Sequence, residues 1–542
     1  MATTEEYINQ LKIDKQNLVN NLSEKGIETN NNETFTSLVN KVIDIEPTLQ
    51  GKTIIPTKSI QEVVADENYD GLSKVIVNSI PEQYIVPSGD LDIRENGDYD
   101  VTEYASVNVD IETGIIEKDI EWKDVVFIDF DGTPLYSYSL EEVQELTELP
   151  PLPTRKGFTY QGWNWTLSNI KKQKDGAIVG AHCVTEDGLT RIHLEIDEYT
   201  RSITFGICQN ESNGFLIDWG DGTSELSGSK TGSTTAINKP HTYEKAGNYV
   251  ITLISQSDTA KLYISGSSSP GSYLIKNPNT ALNTWNFNAG YLTTIRQIEV
   301  GDRVESVGQY GLYYAKGLEY INIPINTEVG NAAFRDCSAL KSIVIPDGMT
   351  TLSTYGFYKC CSLESISLPA TFKTFANYLF GYCDGLKHVR VPNGVTATNA
   401  LGTYCFAEGE NLKRFKLLEG ITSIPAYCFD YCHNLQTMDD IPSTVETIGT
   451  ASFRGCYTLK KIVFKGAITS VGANAFYQNG GIELFDFRNC TSVPTLSATS
   501  AFTNISSTAK IVVPDELYDS WIIATNWSSY DARIVKESDY VA

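Results

Sequence analysis

The stretch Phe334-Arg335-Asp336-Cys337-Ser338-Ala339-Leu340-Lys341-Ser342-Ile343-Val344-Ile345-Pro346 carries the pattern Phe-x-x-Cys-x-x-Leu-x-x-Ile-x-Ile-Pro. It returns as Phe357, Cys360, Leu363, Ile366, Leu368 and Pro369, and again as Phe380, Cys383, Leu386, Val389, Val391 and Pro392. Looser copies start at Phe406, Phe429, Phe453, Phe476 and Phe502, and a degenerate earlier copy holds Leu318, Ile321, Ile323 and Pro324. The phenylalanines fall 23, 23, 26, 23, 24, 23 and 26 residues apart. A nearly fixed period of this size predicts a solenoid. Within one unit, Phe, Cys and Leu at intervals of three predict one helical face, whereas Ile-x-Ile alternates as a short strand does. The Pro ends the strand, and Asp347-Gly348, Asn393-Gly394 and Glu419-Gly420 supply the turn that follows. One unit cannot bury its own apolar face, so the copies stack.

The array resembles the BspA-like leucine-rich repeats of bacterial surface proteins over roughly residues 288 to 513. That resemblance implies an α/β solenoid, assigned to 268–513, acting as an adhesion scaffold. Ile511-Val512-Val513-Pro514-Asp515-Glu516-Leu517, with Trp521 and Asn526-Trp527, looks like the strand and helical cap that end such arrays, giving a cap over 514–542. Gly409, Asn479 and Ile505 replace Cys in three copies, so that position is expected to need only a small or apolar filler.

With 542 residues the chain exceeds what one hydrophobic core serves, about 250 residues. Its 41% hydrophobic and 20% charged residues exclude wholesale disorder. A net charge of −25 and a pI near 4.6 argue against a general nucleic-acid binder, which needs the opposite sign. The eleven cysteines recur at one repeat position, so free, core-filling thiols are expected in place of a disulfide framework. The five histidines are scattered, so no metal site or cofactor is expected. The start Met1-Ala2-Thr3-Thr4-Glu5-Glu6 lacks the basic and apolar segments of a secretory signal, and no apolar run nears the ~18 residues of a membrane span.

Upstream of the repeats, Ile217-Asp218-Trp219-Gly220-Asp221-Gly222-Thr223, His241-Thr242-Tyr243 and Gly247-Asn248-Tyr249-Val250-Ile251-Thr252-Leu253 resemble a PKD domain, which implies a β-sandwich over 189–267. Asp218 and Asp221 could suggest calcium, and are read in preference as bonding the backbone NH groups of their own turn. Val125-Val126-Phe127-Ile128-Asp129-Phe130-Asp131-Gly132-Thr133 also fits the opening of a HAD-type phosphatase, with Asp129 as nucleophile and Asp131 as acid/base. Too few residues follow for that α/β core. Pro150-Pro151-Leu152-Pro153-Thr154-Arg155-Lys156-Gly157-Phe158-Thr159-Tyr160-Gln161-Gly162-Trp163 instead resembles the InlB B-repeat, a β-grasp spacer over 116–188, with Asp131-Gly132 in a hairpin turn.

At the N-terminus Ile8, Leu11, Lys15, Leu18 and Leu22 step as a short coiled-coil seam, with Ile8, Leu11, Leu18 and Leu22 as candidate oligomerisation residues of a region spanning 1–46. A second short helix is expected over Thr34 to Ile43, then small β segments over 47–115 that include 95–101 and 107–111. Leu11 to Val19, Phe35 to Val39 and Gly97 to Ala105 look like N-terminal regions of tail and baseplate proteins from phages of gut bacteria. That resemblance implies a virion protein, made in the host cytoplasm without a signal, forming a homo-oligomer, with a trimer favoured, and joined to other tail proteins at this end.

The expected chain is therefore multidomain and mostly β: a helical N-terminus, small β modules, then the solenoid. Residues beside the inward strand position point outward: Ser342 and Val344, Ser365 and Ser367, His388 and Arg390, Arg414 and Lys416, Thr437 and Asp439, Lys461 and Val463. With Lys387, Lys413 and Lys460, the residues His388, Arg390, Arg414, Lys416 and Lys461 form a basic patch suited to anionic polymers of a host cell surface. Tyr310, Tyr313, Tyr314, Tyr355, Tyr358, Tyr378 and Tyr382 form a second candidate surface, with packing between the turns as the alternative for many of them. The expected function is non-enzymatic attachment to the bacterial surface; a cell-surface adhesin for host matrix proteins and a passive virion decoration are the alternatives.

Overall fold

The computed structural model describes residues 120–198, 201–232, 236–264, 294–397, 399–438 and 440–541, together with the strands 49–54, 61–62, 71–77, 91–92, 97–100, 107–109 and 275–276. The chain divides into two units, Met1–Asp119 and Ile120–Ala542. In the first, Leu49–Ile54 runs parallel to Gly71–Val77, which pairs antiparallel with Gly97–Asp100; Val107–Val109 pairs with both Gln61–Glu62 and Leu91–Asp92. Ile8, Leu11, Leu18 and Leu22, and the expected helix over Thr34 to Ile43, lie outside the described residues.

The second unit begins with a small module. Val125–Ile128 turns back through Asp129–Thr133 into Pro134–Tyr138, and Ala177–Thr185 lies between Val125–Ile128 and Phe158–Trp163 in a four-stranded sheet. Gly132 closes the turn with φ +94°, donating its NH to Asp129 O, so Asp-x-Asp-Gly-Thr forms a hairpin here. Ser139 caps the helix Leu140–Glu145 and Glu142 reaches back to the Ser139 NH, a capping box. One sheet face, Val125, Phe127, Ala177 and Val179, packs on Val143, Trp165 and Ile170. The other, Val126, Ile128 and Ile178, packs on Val344 of the solenoid. Alternation along the strands thus serves two cores.

Residues 190–264 form a β-sandwich whose sheets do not stop at its border. Thr190–Ile196 pairs antiparallel with Gly247–Ser255 on one side and with the solenoid strand Ile295–Glu299 on the other. Leu262–Ile264 pairs parallel with Val304–Val307, the next solenoid strand. One continuous core runs from Ile192 to Ile534. The sandwich therefore closes the first rungs, whose strand edges would otherwise stand open. At its turn, Asp218 accepts from the Gly220 NH and Asp221 from the Thr223 NH, as the local sequence suggested.

The repeats build a β-solenoid of about ten turns. Short parallel strands or single bridges join successive rungs in two columns, one running through Ser342–Val344 and Ser365–Ser367 to Lys461–Val463, Leu484–Asp486 and Lys510–Val513. The α part of the expected α/β solenoid is absent from the described rungs. Tyr355 and Lys359, Tyr378 and Tyr382, Tyr404 and Glu408, and Tyr427 and Tyr431 all have φ between 56° and 62°, a left-handed pair in each rung. Backbone amides then alternate: Gly356 N and Cys360 N close turns within their own rung, whereas Tyr355 N, Phe357 N and Lys359 N donate to Asn377 O, Leu379 O and Gly381 O of the next. A helix would keep all of these bonds to itself.

Two ladders fill the interior. The rings of Phe334, Phe357, Phe380, Phe406, Phe429, Phe453, Phe476 and Phe502 stack at 5.4 to 5.8 Å. Beside them the thiols of Cys337, Cys360, Cys383, Cys432 and Cys456 donate at 3.0 to 3.2 Å to the carbonyls of Leu312, Phe334, Phe357, Phe406 and Phe429 in the rung before. All eleven cysteines are free, and ten are buried. The Cys position is thus more than a small filler, because its S–H satisfies a carbonyl that faces the core. At the C-terminal end Ile534–Lys536 adds one more parallel strand, and Trp521 and Trp527 close over Phe487.

Candidate binding surface

The module is not a spacer strung ahead of the solenoid: it lies on the strand face of the repeats. Asn164, 1% exposed, donates to Ile345 O at 3.1 Å and to Ser367 Oγ at 2.9 Å and accepts from the Gly180 NH at 2.8 Å. Trp165 Nε1 donates to Leu368 O, and Ser367 Oγ donates to Ile178 O. Earlier rungs are joined through Asn322 Nδ2 to Cys183 O and His182 Nδ1 to Ile323 O. The backbones approach closely enough that a Cβ on Gly180 would meet the Val344 side chain at 2.3 Å. Ser342, Val344, Ser365 and Ser367 do point out of the solenoid core, yet all four are buried beneath the module.

This docking divides the expected basic patch. His388 stacks on Trp122 with ring centroids 4.0 Å apart, and Arg390 Nη2 donates to Lys123 O at 2.9 Å. Arg414 pairs with Asp175 at 3.1 Å, and Lys416 Nζ donates to Lys174 O at 2.9 Å. The reading of these four as one solvent-facing surface is therefore corrected, because the module's own groups take up their polar contacts. Burial pushes the His388 imidazole down to about 4, with Arg390 and Lys387 adding to the effect. Burial raises the Asp175 carboxyl, against the pull of Arg414, Arg390 and Lys416. Lys387 pairs with Glu364 at 2.9 Å, and Lys413, Lys460 and Lys461 are exposed.

Beyond Lys416 the strand face opens into a groove of about 980 Å3, lined by Lys416, Thr437, Asp440, Tyr457, Lys460 and Lys461 among others. Asp440 pairs with Lys465 at 2.8 Å. Lys460 and Glu483 are 3.9 Å apart and both about two-thirds exposed, so that pair contributes little. Tyr457 and Asp440 were not among the expected site residues. The signal for Tyr457 was present, since it follows its rung's Phe453 by four residues, as His433 follows Phe429.

The tyrosines form a ladder. Tyr355, Tyr378, Tyr404 and Tyr427 stack at 4.7, 4.7 and 4.3 Å. Arg335 caps one end, 4.7 Å above Tyr355, and Arg454 the other, 5.7 Å above Tyr427, the latter held by both Asp430 oxygens. The faces of these rings are consumed within the stack. Of the seven tyrosines of the second candidate surface, Tyr313 is buried, Tyr355 and Tyr378 pack between rungs, and Tyr382, at 38%, is the one that stands well exposed.

The pair suggestive of a phosphatase is enclosed. Asp129, 4% exposed, accepts from Tyr160 OH at 2.8 Å on both oxygens, and Arg155 bonds Asp131 at 2.6 Å. Burial, with Asp131 adding, raises Asp129 to about 6. Among the described residues no group of His, Cys, Asp and Glu is placed to hold a metal, and no helix is long and apolar enough to cross a membrane.

Residues 305–436 and 422–520 match the family model of the BspA type leucine rich repeat region in six copies, so the array is of that type. A search of the curated proteins finds no match. Among solved structures, the chain is similar to a leucine-rich repeat protein from Bacteroides ovatus, at 21% identity over 42% of this chain and 69% of that one, with a TM-score of 0.32. It is also similar to a leucine rich cell surface protein from Faecalibacterium prausnitzii, at 20% identity over 41% and 73% of the two chains and a TM-score of 0.26. A third is the pneumococcal vaccine antigen PcpA, at 16% identity over 44% and 70%, with a TM-score of 0.24.

Proposed function

We propose that this chain is a non-enzymatic recognition protein of a phage tail or baseplate, whose repeat array attaches to the surface of the host bacterium. One observation carries the reading: the module covers the earlier rungs and leaves a lysine-bearing groove open on the later ones, on a chain whose net charge is −25. A stacked core of this kind holds that groove rigid, which lowers the entropic cost of binding. The resemblance of the first 115 residues to tail and baseplate proteins supports the virion, with Ile8, Leu11, Leu18 and Leu22 joining copies and the region contacting neighbouring tail proteins. Several copies per particle would turn weak single contacts into firm attachment. The PKD and InlB B-repeat resemblances fit the same picture, as modules of extracellular and structural proteins.

Labelled full-length chain on intact host cells should bind saturably, and cells stripped of surface polymer should not compete for it. No binding to any intact cell would leave a passive decoration. The BspA type of the repeats favours a second reading, a cell-surface adhesin. Mass spectrometry of purified particles separates the two: the chain is expected in virions, and its absence there would turn the assignment to the adhesin.

A further inference from the structure

We infer that the open groove takes an acidic sugar polymer, with Tyr457 as the platform for one sugar ring and Lys460 and Lys461 as partners of its negative groups. This rests on the recognition role proposed above and names its ligand. His433, Tyr457 and Gly480 each follow their rung's phenylalanine by four residues, so they stand one above another. His433 covers one face of Tyr457, with ring centroids 4.8 Å apart and planes 11° from parallel. On the other side the column holds Gly480, where an added Cβ would meet nothing within 4 Å. The tyrosine is 44% exposed. It contrasts with the Tyr355 to Tyr427 ladder, where rings and guanidinium groups cover the faces. An uncovered aromatic face beside a polar groove suits a pyranose, whose C–H face is apolar and whose rim is hydroxylated.

Charge selects among sugars. Lys416, Lys460 and Lys461 line the groove, and Lys413 is exposed on the rung of Lys416. Two residues before Lys416, Arg414 pairs with the single carboxylate of Asp175, and Lys416 itself reaches the Lys174 carbonyl. The module's own acid thus already sits among the cations of this face. Negative charge can come from uronate carboxylates or from a phosphate backbone, and the two differ in whether sugar rings line the chain.

Calorimetry on the full-length chain uses three probes: de-esterified oligogalacturonate, poly(glycerol phosphate) without sugar rings, and neutral dextran. Oligogalacturonate is expected to bind, more weakly as salt rises, and each of the other two at least about tenfold more weakly. Lys460→Ser with Lys461→Ser should lower that affinity about tenfold or more, and Gly480→Leu should do the same by covering Tyr457. Gly480 has no positive φ and open space around it, so that variant should melt as the wild type does. Equal binding of the phosphate polymer, or full binding by Gly480→Leu, overturns the platform. Cell attachment that survives in both variants overturns the ligand assignment but leaves the recognition role standing; wild-type chain that ignores cells overturns the role.

Discussion

The imidazole of His388 lies flat on the indole of Trp122, 4.0 Å between ring centres and 11° between planes. One ring belongs to the docked module and the other to a repeat rung, where His388 bridges in parallel to Ser365. The contact joins a module to a solenoid face that the repeat pattern alone would leave open to solvent. Removing the indole should loosen that joint. Trp122→Ala is expected to raise amide exchange in Ser365–Ser367 and Ser342–Val344, which the module buries, while the phenylalanine ladder stays protected.

Close backbone approach is the second determinant of docking. Gly180→Val would place methyl groups where Val344 already stands, at an overpacking cost of about 2–3 kcal/mol. Hydrogen exchange should show the module released and the rungs from Tyr427 onward unaffected. A variant that docks normally would mean the strand face adapts.

The contribution of His388 to docking should weaken in acid, opposed by Asp175, whose carboxyl burial raises. His388 is held at about 4, so the docked state binds fewer protons than the undocked one between that value and the ordinary histidine range. Its contribution is complete above the ordinary range and is lost as pH falls toward about 4. The part of the tryptophan fluorescence that Trp122→Phe removes should change over this window, and His388→Phe should flatten it.

Asp129 works in the opposite sense. Its carboxyl is raised to about 6, so the folded state holds a proton that the unfolded state has released, and stability falls as pH rises through about 6. Asp129→Asn keeps acceptors for Tyr160 and the Phe130 NH without the buried charge. Chemical denaturation should show a gain of about 2–3 kcal/mol at pH 8 and almost none near pH 4.

Asn479 stands where other rungs place Cys, and neither of its side-chain amide atoms has a partner although the residue is fully buried. Asn479→Cys would restore a thiol donor and remove two unsatisfied groups. Thermal unfolding should shift upward, for a gain of about 1–3 kcal/mol.

The period, the inward residues and the outward ones were all legible, because Phe, Cys, Leu and Ile-x-Ile repeat in register with the rungs. The loss of the helix was not. Left-handed backbone is associated with Gly and Asn, and here Tyr355, Tyr378, Tyr404 and Tyr427 adopt it, stabilised by stacking that appears only once rungs are assembled. What covers the strand face was also hidden, since Asn164 and Ser367 meet across a large sequence separation. One signal did exist. Val125-Val126-Phe127-Ile128 is apolar without alternation, the mark of a strand covered on both faces, and the second face proved to belong to the solenoid.

Whether the groove is the recognition surface is tested most directly by hydrogen exchange on the full-length chain with and without saturating oligogalacturonate. Protection is expected to rise in residues 436–438 and 457–463, which line the groove, with no change along the tyrosine ladder. Protection confined to the ladder, or none in the groove at saturation, would contradict it.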